Sequence, residues 1–125
     1  MSENASWNEK RTTPRISWNF IVKFRSEKPE GLSQLQVSTI QNISEGGCSF
    51  FSAVQYQLEE KLHLEIQFPS IREPMKFQGI VKRCEYLAGK KISPYFIGIQ
   101  FTGMDETKKN GFIQTLSFFL NKQSR

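Results

Sequence analysis

The sequence predicts a mainly β protein, a six-stranded antiparallel β-barrel followed by one C-terminal α-helix. Six short segments alternate apolar and polar residues with a period of two, and the last apolar segment changes to a helical period. The chain has 125 residues with eleven Phe, two Trp and three Tyr, which suits one packed, β-rich domain. No internal repeat or second boundary is visible. We therefore expect a flexible N-terminal tail over residues 1–9, a single domain over 10–121 and a short tail over 122–125.

The first two strands are predicted on either side of a turn at residues 28–31, KPEG. In the first strand the apolar residues share one face: Trp18, Phe20, Val22 and Phe24. The second strand carries Leu35, Val37 and Thr39 and runs into residue 42.

Four further strands follow a break in the pattern at residues 42–47, NISEGG, whose residue types favour a turn. A short strand begins at CSFF, and the clearest alternation is LHLEIQF at 62–68. Residues 75–81 and 96–101 alternate in the same way and complete the six.

The last segment is predicted to be an amphipathic helix, because its apolar residues recur at helical spacing. These residues are Phe112, Ile113, Leu116, Phe119 and Leu120. Thr102 or Asp105 is expected to cap its N-terminus.

Charge and cysteine content narrow the class of protein. Seventeen Lys and Arg against twelve Asp and Glu give a formal charge of +5, which suits an anionic partner without requiring one. Cys48 and Cys84 belong to no CxxC or Cys/His cluster, so we expect no disulfide framework, no metal site and a reducing compartment. The chain has no signal-like or membrane-length apolar run, which predicts a cytoplasmic protein without membrane insertion.

The sequence argues against an enzyme and offers no catalytic residue. His63, the single histidine, lies on the polar side of a predicted strand. Adjacent carboxylates such as Glu59 and Glu60 point to opposite faces of an extended chain and make a poor acid/base pair. Neither a GxSxG nucleophile motif nor a GxxxxGK[ST] phosphate loop is present.

The stretch KRTTPRISWNF at residues 10–20 is the first candidate binding segment. Pro14 disfavours a helix, and in an extended chain Arg11 and Arg15 lie roughly 13 Å apart. Two guanidinium groups at that separation can close on opposite ends of one anionic ligand, with Lys10 as a third cation. The alternative is a solvated basic tail.

The second candidate is the segment between two strands that contains Asn42, Ser44, Gly46 and Gly47. The Asn42 amide both donates and accepts hydrogen bonds, which suits the edge of a purine, and Ser44 adds a hydroxyl on the same side. Gly46 and Gly47 permit positive φ and close approach of a ligand. The alternative is an ordinary strand-to-strand turn.

Together the two segments resemble the PilZ family, the bacterial receptor domain for cyclic di-GMP. Arg11 and Arg15 match the family's RxxxR motif, and Asn42, Ser44 and Gly47 match its (D/N)xSxxG motif. The order LHLEIQF, FQGIVKR, YFIGIQF and helix is similar over about residues 10–120.

The resemblance implies a PilZ-like split barrel with cyclic di-GMP bound on its outer surface as the ligand, and with no cofactor. It implies that the N-terminal segment wraps the dinucleotide against Asn42 and Ser44 and presents a changed surface to an unidentified downstream protein of motility, exopolysaccharide or related output. Trp7 and Arg83 are further candidates. Two alternatives stay open. One is a small barrel that binds single-stranded nucleic acid, although the sequence disfavours nucleic acid as a partner. The other is a PilZ-type adaptor that acts without ligand.

Overall fold

The computed structural model describes residues 20–28 and 34–123. Several residues and segments named from the sequence lie outside this range: Trp7, Lys10, Arg11, Arg15, Trp18, the tails at 1–9 and 124–125, and residues 29–31 of the turn after the first strand.

The described chain forms a closed antiparallel β-barrel of six strands, followed by a helix, and this confirms the predicted fold class. The elements are β1 (Ile21–Ser26), β2 (Gln36–Ser44), β3 (Gly47–Ser52), β4 (Lys61–Gln67), β5 (Met75–Tyr86), β6 (Tyr95–Thr102) and α1 (Glu106–Gln123). Around the barrel the strands follow the order β1-β2-β3-β6-β5-β4, and β1 closes the ring against β4.

Alternating side chains from the strands fill the barrel, as the period of two predicts. In β1 and β4 every second residue is buried. The largest fully buried side chains are Phe20, Phe24, Phe50, Phe68, Phe112, Ile40, Ile43, Leu62, Leu64, Ile66, Ile97 and Val22. Each such side chain contributes about 1.5–3 kcal/mol of burial free energy, so the barrel wall is a firm support for surface groups.

Helix α1 packs against the barrel through its predicted apolar stripe. The ring of Phe112 lies 4.8 Å from that of Phe77, and the ring of Phe119 lies 5.1 Å from that of Phe20. Asp105 caps the helix, because its Oδ1 accepts the backbone N–H of Lys108 at 2.8 Å. The other capping candidate, Thr102, is instead the last residue of β6.

Strand β2 differs from its sequence pattern. Val37 is 63% exposed and Leu35, just before the strand, is 58% exposed, whereas Ile40 and Ile43 are buried. The pairing with β3 shifts between Ile40 and Asn42, so this strand contains a β-bulge. Val37 lies three residues before the buried Ile40 and so faces outward by regular alternation, and the bulge after Ile40 brings Ile43 back to the inner face.

Strand β5 also contains a bulge, between Val81 and Arg83, and runs five residues beyond the predicted end. The consecutive residues Lys82 and Arg83 are both exposed there. The extension pairs with the first half of β6 and widens the outer wall beside β3.

No helix within residues 20–28 and 34–123 is long and apolar enough to cross a membrane.

Candidate functional site

The turn that joins β2 to β3 consists of Glu45 and Gly46, between the paired residues Ser44 and Gly47. The Ser44 hydroxyl accepts the Gly46 N–H at 3.3 Å, and the Gly46 carbonyl accepts the Phe101 N–H of β6 at 2.9 Å. The turn is thus fastened to a third strand. It is also shorter than the sequence suggests, since residues 42–44 belong to β2.

Asn42 and Ser44 share the outer face of β2, as their spacing of two predicts. Asn42 donates from Nδ2 to the Ser49 Oγ of β3 at 3.3 Å, and both side chains are half-buried. This bond orients the amide oxygen. Within the described residues that oxygen accepts no hydrogen bond, so it is free to take one from a ligand.

Neither Gly46 nor Gly47 adopts the positive φ that a glycine permits. A Cβ on Gly47 would lie 1.9 Å from the carbonyl oxygen of Ile99, so this glycine allows β3 and β6 to approach. A Cβ on Gly46 would have no atom within 4 Å. The motif glycine Gly47 therefore has a structural role, and Gly46 leaves open space above the turn.

The row that begins at Asn42 and Ser49 continues across the barrel wall to Gly98 of β6 and Arg83 of β5. The Arg83 side chain lies over Gly98, since a Cβ there would be 3.1 Å from the Arg83 Cβ and within 4.0 Å of Cγ and Cδ. Its guanidinium carbon is 5.1 Å from the centre of the Phe96 ring, and its Nη2 donates to Glu85 Oε1 at 3.0 Å. Because Gly98 has no side chain, the aliphatic part of Arg83 lies over it and the guanidinium group reaches Phe96.

Two aromatic rings lie beside this row on the outer wall. Phe51 and Phe96 are cross-strand partners with ring centres 5.1 Å apart, and Lys90 Nζ lies 4.0 Å from the centre of Phe51. Sequence analysis singled out neither ring. The alternation of FIGIQF contained the signal, because it places Phe96 on the face opposite Ile97.

The described site contains two cations and two carboxylates, the latter being Glu45 in the turn and Glu85 on β5. Arg83 and Lys90 contribute its cations, and Glu85 is engaged by Arg83. Cys48 points into the core beneath it, and burial raises the pKa of that thiol far above its usual range, which makes it inert. Residues 20–28 and 34–123 contain no cluster of His, Cys, Asp and Glu that could hold a metal ion.

The outer wall also carries the start of the described chain. The Phe20 carbonyl accepts the N–H of Ile40 at 2.8 Å, two residues before Asn42. Phe20, the first described residue, therefore lies next to the Asn42 end of the site.

These features form a candidate ligand-binding surface on a closed β-barrel, with an amide, a hydroxyl, an arginine and two aromatic rings in adjacent rows. A family model for the PilZ domain matches residues 9–118. The chain belongs to the PilZ domain family.

Solved structures support the same fold. The PilZ domain of YcgR from Escherichia coli with c-di-GMP has a TM-score of 0.69 and 15% identity, and the match covers 93% of this chain and 95% of that chain. The K. pneumonia MrkH–c-di-GMP complex has a TM-score of 0.71 and 16% identity, with 93% and 54% covered. The inhibitor of motility MotI/DgrA of Bacillus subtilis has a TM-score of 0.67 and 18% identity, with 91% and 51% covered.

The chain spans about half the length of MotI and MrkH, and nearly all of the YcgR PilZ domain. Among curated proteins, none matches the sequence.

Proposed function

We propose that this protein is a receptor and adaptor for cyclic di-GMP, which binds the outer wall at Asn42 and Ser44 while Arg11 and Arg15 close over it from the N-terminal segment. The observation that carries the proposal is the hydrogen bond between Phe20 and Ile40, which roots that segment beside Asn42. Two solved relatives, MrkH and the YcgR PilZ domain, are c-di-GMP complexes.

Chain length supports the closure of the segment. Arg15 precedes Phe20 by five residues, and an extended chain of that length reaches at most about 17 Å. Asn42 lies two residues from Ile40, the partner of Phe20, so its amide is well within this radius. Arg11 has roughly 30 Å of chain and is able to reach the far side of the same ligand.

The residue chemistry fits a guanine dinucleotide. Each guanine offers O6 and N7 acceptors, which an arginine meets bidentately, and the same planar group binds phosphate or stacks on a base. The free amide oxygen of Asn42 takes a donor from the base edge, and the Ser44 hydroxyl adds a second polar contact. The open space above Gly46 lets a ligand approach the turn. Lys10 is assigned to the phosphates as a further cation.

Arg83 is a further residue of the proposed site. Its guanidinium already rests on the Phe96 ring, so little side-chain entropy remains to be lost when a purine stacks on its outer face. Gly98 makes this pose available in the unliganded barrel.

The energetics allow a segment that closes only on ligand. Ordering about six backbone residues costs on the order of 1–2 kcal/mol each. Each charge-assisted hydrogen bond returns roughly 1.5–3 kcal/mol, so the contacts of both arginines are needed to offset the ordering. The closed segment and its ligand form a surface that is absent without the messenger. A downstream protein that reads this surface gives the domain an adaptor role rather than an enzymatic one.

Isothermal calorimetry against cyclic di-GMP, with GTP and cyclic di-AMP as competing nucleotides, tests the proposal. We expect Arg11→Ala or Arg15→Ala to remove tight binding while the circular dichroism spectrum stays unchanged. Arg72→Ala, an exposed arginine in the loop between β4 and β5, is the matched control and retains binding. Wild-type affinity in both motif variants refutes the proposed clamp.

Hydrogen exchange tests the closure itself. Amides preceding Phe20 gain protection when cyclic di-GMP binds, whereas the strand amides of β3 and β6, already in the ladder, change little. An exchange pattern that is unchanged before Phe20 contradicts the closure even where calorimetry shows binding.

The pair of outward rings favours a second candidate, binding of single-stranded nucleic acid. Such barrels stack bases on exposed aromatics that alternate with cations, and Phe51 and Phe96 lie between Lys90 and Arg83 in this way. A salt titration of oligoribonucleotide binding separates the two functions. Steep salt dependence without preference for cyclic di-GMP supports the nucleic-acid function.

A further inference from the structure

A second surface of the barrel combines exposed aliphatic side chains with cations. It consists of Ile21, Lys23 and Arg25, which project outward from β1, together with Val37 of β2 and Leu35 just before it; we call it the β1–β2 patch. Its three aliphatic residues are 41%, 63% and 58% exposed for Ile21, Val37 and Leu35. Aliphatic groups so exposed on neighbouring strands mark a surface that another molecule covers.

Strand register shows that the patch is contiguous. Lys23 is paired with Val37, and Ile21 with Thr39, so Ile21 and Val37 are diagonal neighbours. Their Cβ atoms are then about 7–8 Å apart, close enough for one partner side chain to contact both.

The charges around the patch have a positive excess. Lys23 is paired on its other side with Glu65 of β4, which in turn is paired with Lys76 of β5. Glu27, two residues after Arg25, has its Oε2 3.5 Å from Nε2 of His63, the cross-strand partner of Arg25. Among the described residues, none of Lys23, Arg25 and Lys76 has a carboxylate oxygen within 4.0 Å. Three cations thus stand against two carboxylates, and their hydrogen-bonding capacity is available to an acidic partner.

The patch and the candidate ligand site can be occupied together. From β2 the ligand site extends through β3 and β6 to β5, whereas the patch extends the other way, through β1 toward β4. Val37 and Asn42 lie on the same strand, about 16 Å apart along it. Between them lies Ile40, whose N–H is bonded to the carbonyl of Phe20, the first described residue.

The closed barrel and the mixture of aliphatic and cationic side chains determine which kind of partner fits the β1–β2 patch. The described strands close into a ring, so a partner cannot add a strand at a free edge and has to dock through side chains. Three aliphatic groups have no use in binding phosphates, which argues against nucleic acid. Three aliphatic side chains also offer little apolar surface for insertion into a lipid layer. An amphipathic helix bordered by carboxylates fits both features, since its i, i+4 side chains are about 6 Å apart.

We infer that the β1–β2 patch docks an acidic amphipathic helix of a partner protein: the apolar stripe of the helix covers Ile21, Leu35 and Val37, and its carboxylates pair with Lys23 and Arg25. This docking needs no cyclic di-GMP. A change of docking with the messenger rests on the proposed function, because the N-terminal segment starts beside the patch.

The test uses a fluorescent synthetic helix of 16 residues with a Leu stripe bordered by Glu, and a second peptide with Lys in place of Glu. Anisotropy is measured with the full chain in the absence of dinucleotide. We expect saturable binding of the acidic peptide and at least tenfold weaker binding of the basic one. Val37→Ser and Lys23→Glu each lower the affinity at least fivefold. Leu58→Ser, whose side chain is 62% exposed in the loop after β3, is the matched control and leaves the affinity unchanged.

Equal binding of the two peptides, equal losses in Val37→Ser and Leu58→Ser, or no binding overturns the inference. Binding to vesicles of 30% phosphatidylglycerol that Val37→Ser abolishes, without peptide binding, assigns the patch to a membrane and also overturns it. Calorimetry of Val37→Ser with cyclic di-GMP shows whether this substitution affects dinucleotide binding, so that failure of the docking proposal can be told apart from failure of the proposed function. Loss of peptide binding with wild-type dinucleotide affinity supports the patch. Absence of dinucleotide binding in the wild-type chain, with peptide binding retained, refutes the proposed function alone.

Discussion

Replacing Gly47 by alanine tests the structural role of a glycine that belongs to a ligand-binding motif. The new Cβ would lie 1.9 Å from the Ile99 carbonyl oxygen and 3.1 Å from its carbonyl carbon. Both atoms are backbone, so no side-chain rotation relieves the contact, and β3 and β6 have to separate there.

The size of the effect follows from the distances. Restoring an ordinary contact of 3.4 Å requires a shift of about 1.5 Å, which is enough to break the neighbouring 2.9 Å bond from the Phe101 N–H to the Gly46 carbonyl. One or two buried backbone groups are then left unpaired, at a cost of about 1–3 kcal/mol each. We expect Gly47→Ala to lower the free energy of unfolding by about 2–4 kcal/mol, a large share of a typical domain's stability.

Urea unfolding followed by far-UV circular dichroism measures this loss. With a slope of about 1–3 kcal/mol per molar urea, the midpoint falls by roughly 1–2 M. Gly46→Ala is the matched control, because its Cβ meets no atom within 4 Å and its φ is not positive. It leaves the midpoint unchanged or slightly raised. Equal midpoints for Gly47→Ala and the wild type refute the argument that this glycine is needed for strand approach.

Three further substitutions test other parts of the structure. Burial, and to a smaller extent the Glu60 carboxylate, raises the pKa of Tyr56 to about 12, against about 10 in the unfolded chain. The neutral phenol therefore stabilises the fold below pH 10, and this stabilisation is lost as the pH rises toward 12. Tyr56→Phe should therefore gain about 1–2 kcal/mol on the wild type between pH 9 and 11.5 in urea titrations, and parallel pH profiles contradict this. Arg83→Lys keeps the charge but loses the planar guanidinium group, so calorimetry should show an affinity for cyclic di-GMP about five- to tenfold lower. A wild-type affinity in this variant would contradict stacking by Arg83 and leave its charge as its only contribution. Asp105→Ala should lower the free energy of unfolding by about 1 kcal/mol in thermal melts, because the N-terminal cap of the helix is lost, whereas Asp105→Asn keeps a capping oxygen. Equal melting temperatures of the two variants would contradict a stabilising capping bond.

The sequence predicts those parts of the fold in which each residue follows the period of its own element. Alternation from Leu62 to Phe68 and the helical spacing of Phe112, Leu116 and Phe119 both mark side chains that are buried in the structure. Local periodicity decides these elements because burial of one face dominates their energy.

Prediction fails where pairing with another strand overrides the local pattern. The bulge before Asn42 puts Asn42 and Ser44 on the outer face instead of the face of Ile40, and nothing in the β2 sequence indicates it. The need for Gly47 is set by Ile99, more than fifty residues away, and the seat of Arg83 by Gly98 on another strand. Such contacts depend on the order of strands around the barrel, which a single sequence does not encode in its spacing.

The closed ring of strands also restricts which parts of this domain can change when a ligand binds. The wall that carries Asn42 is fixed by cross-strand bonds on both sides, including the Asn42–Ser49 bond and the fastening of the turn to Phe101. A ligand that distorted this wall would have to break the ladder of a filled barrel, at a cost of several kcal/mol. Closure of the segment before Phe20 breaks no bond of the described barrel. Under the proposed function the segment before Phe20 changes position when the messenger binds, and we expect docking at the β1–β2 patch to change with it.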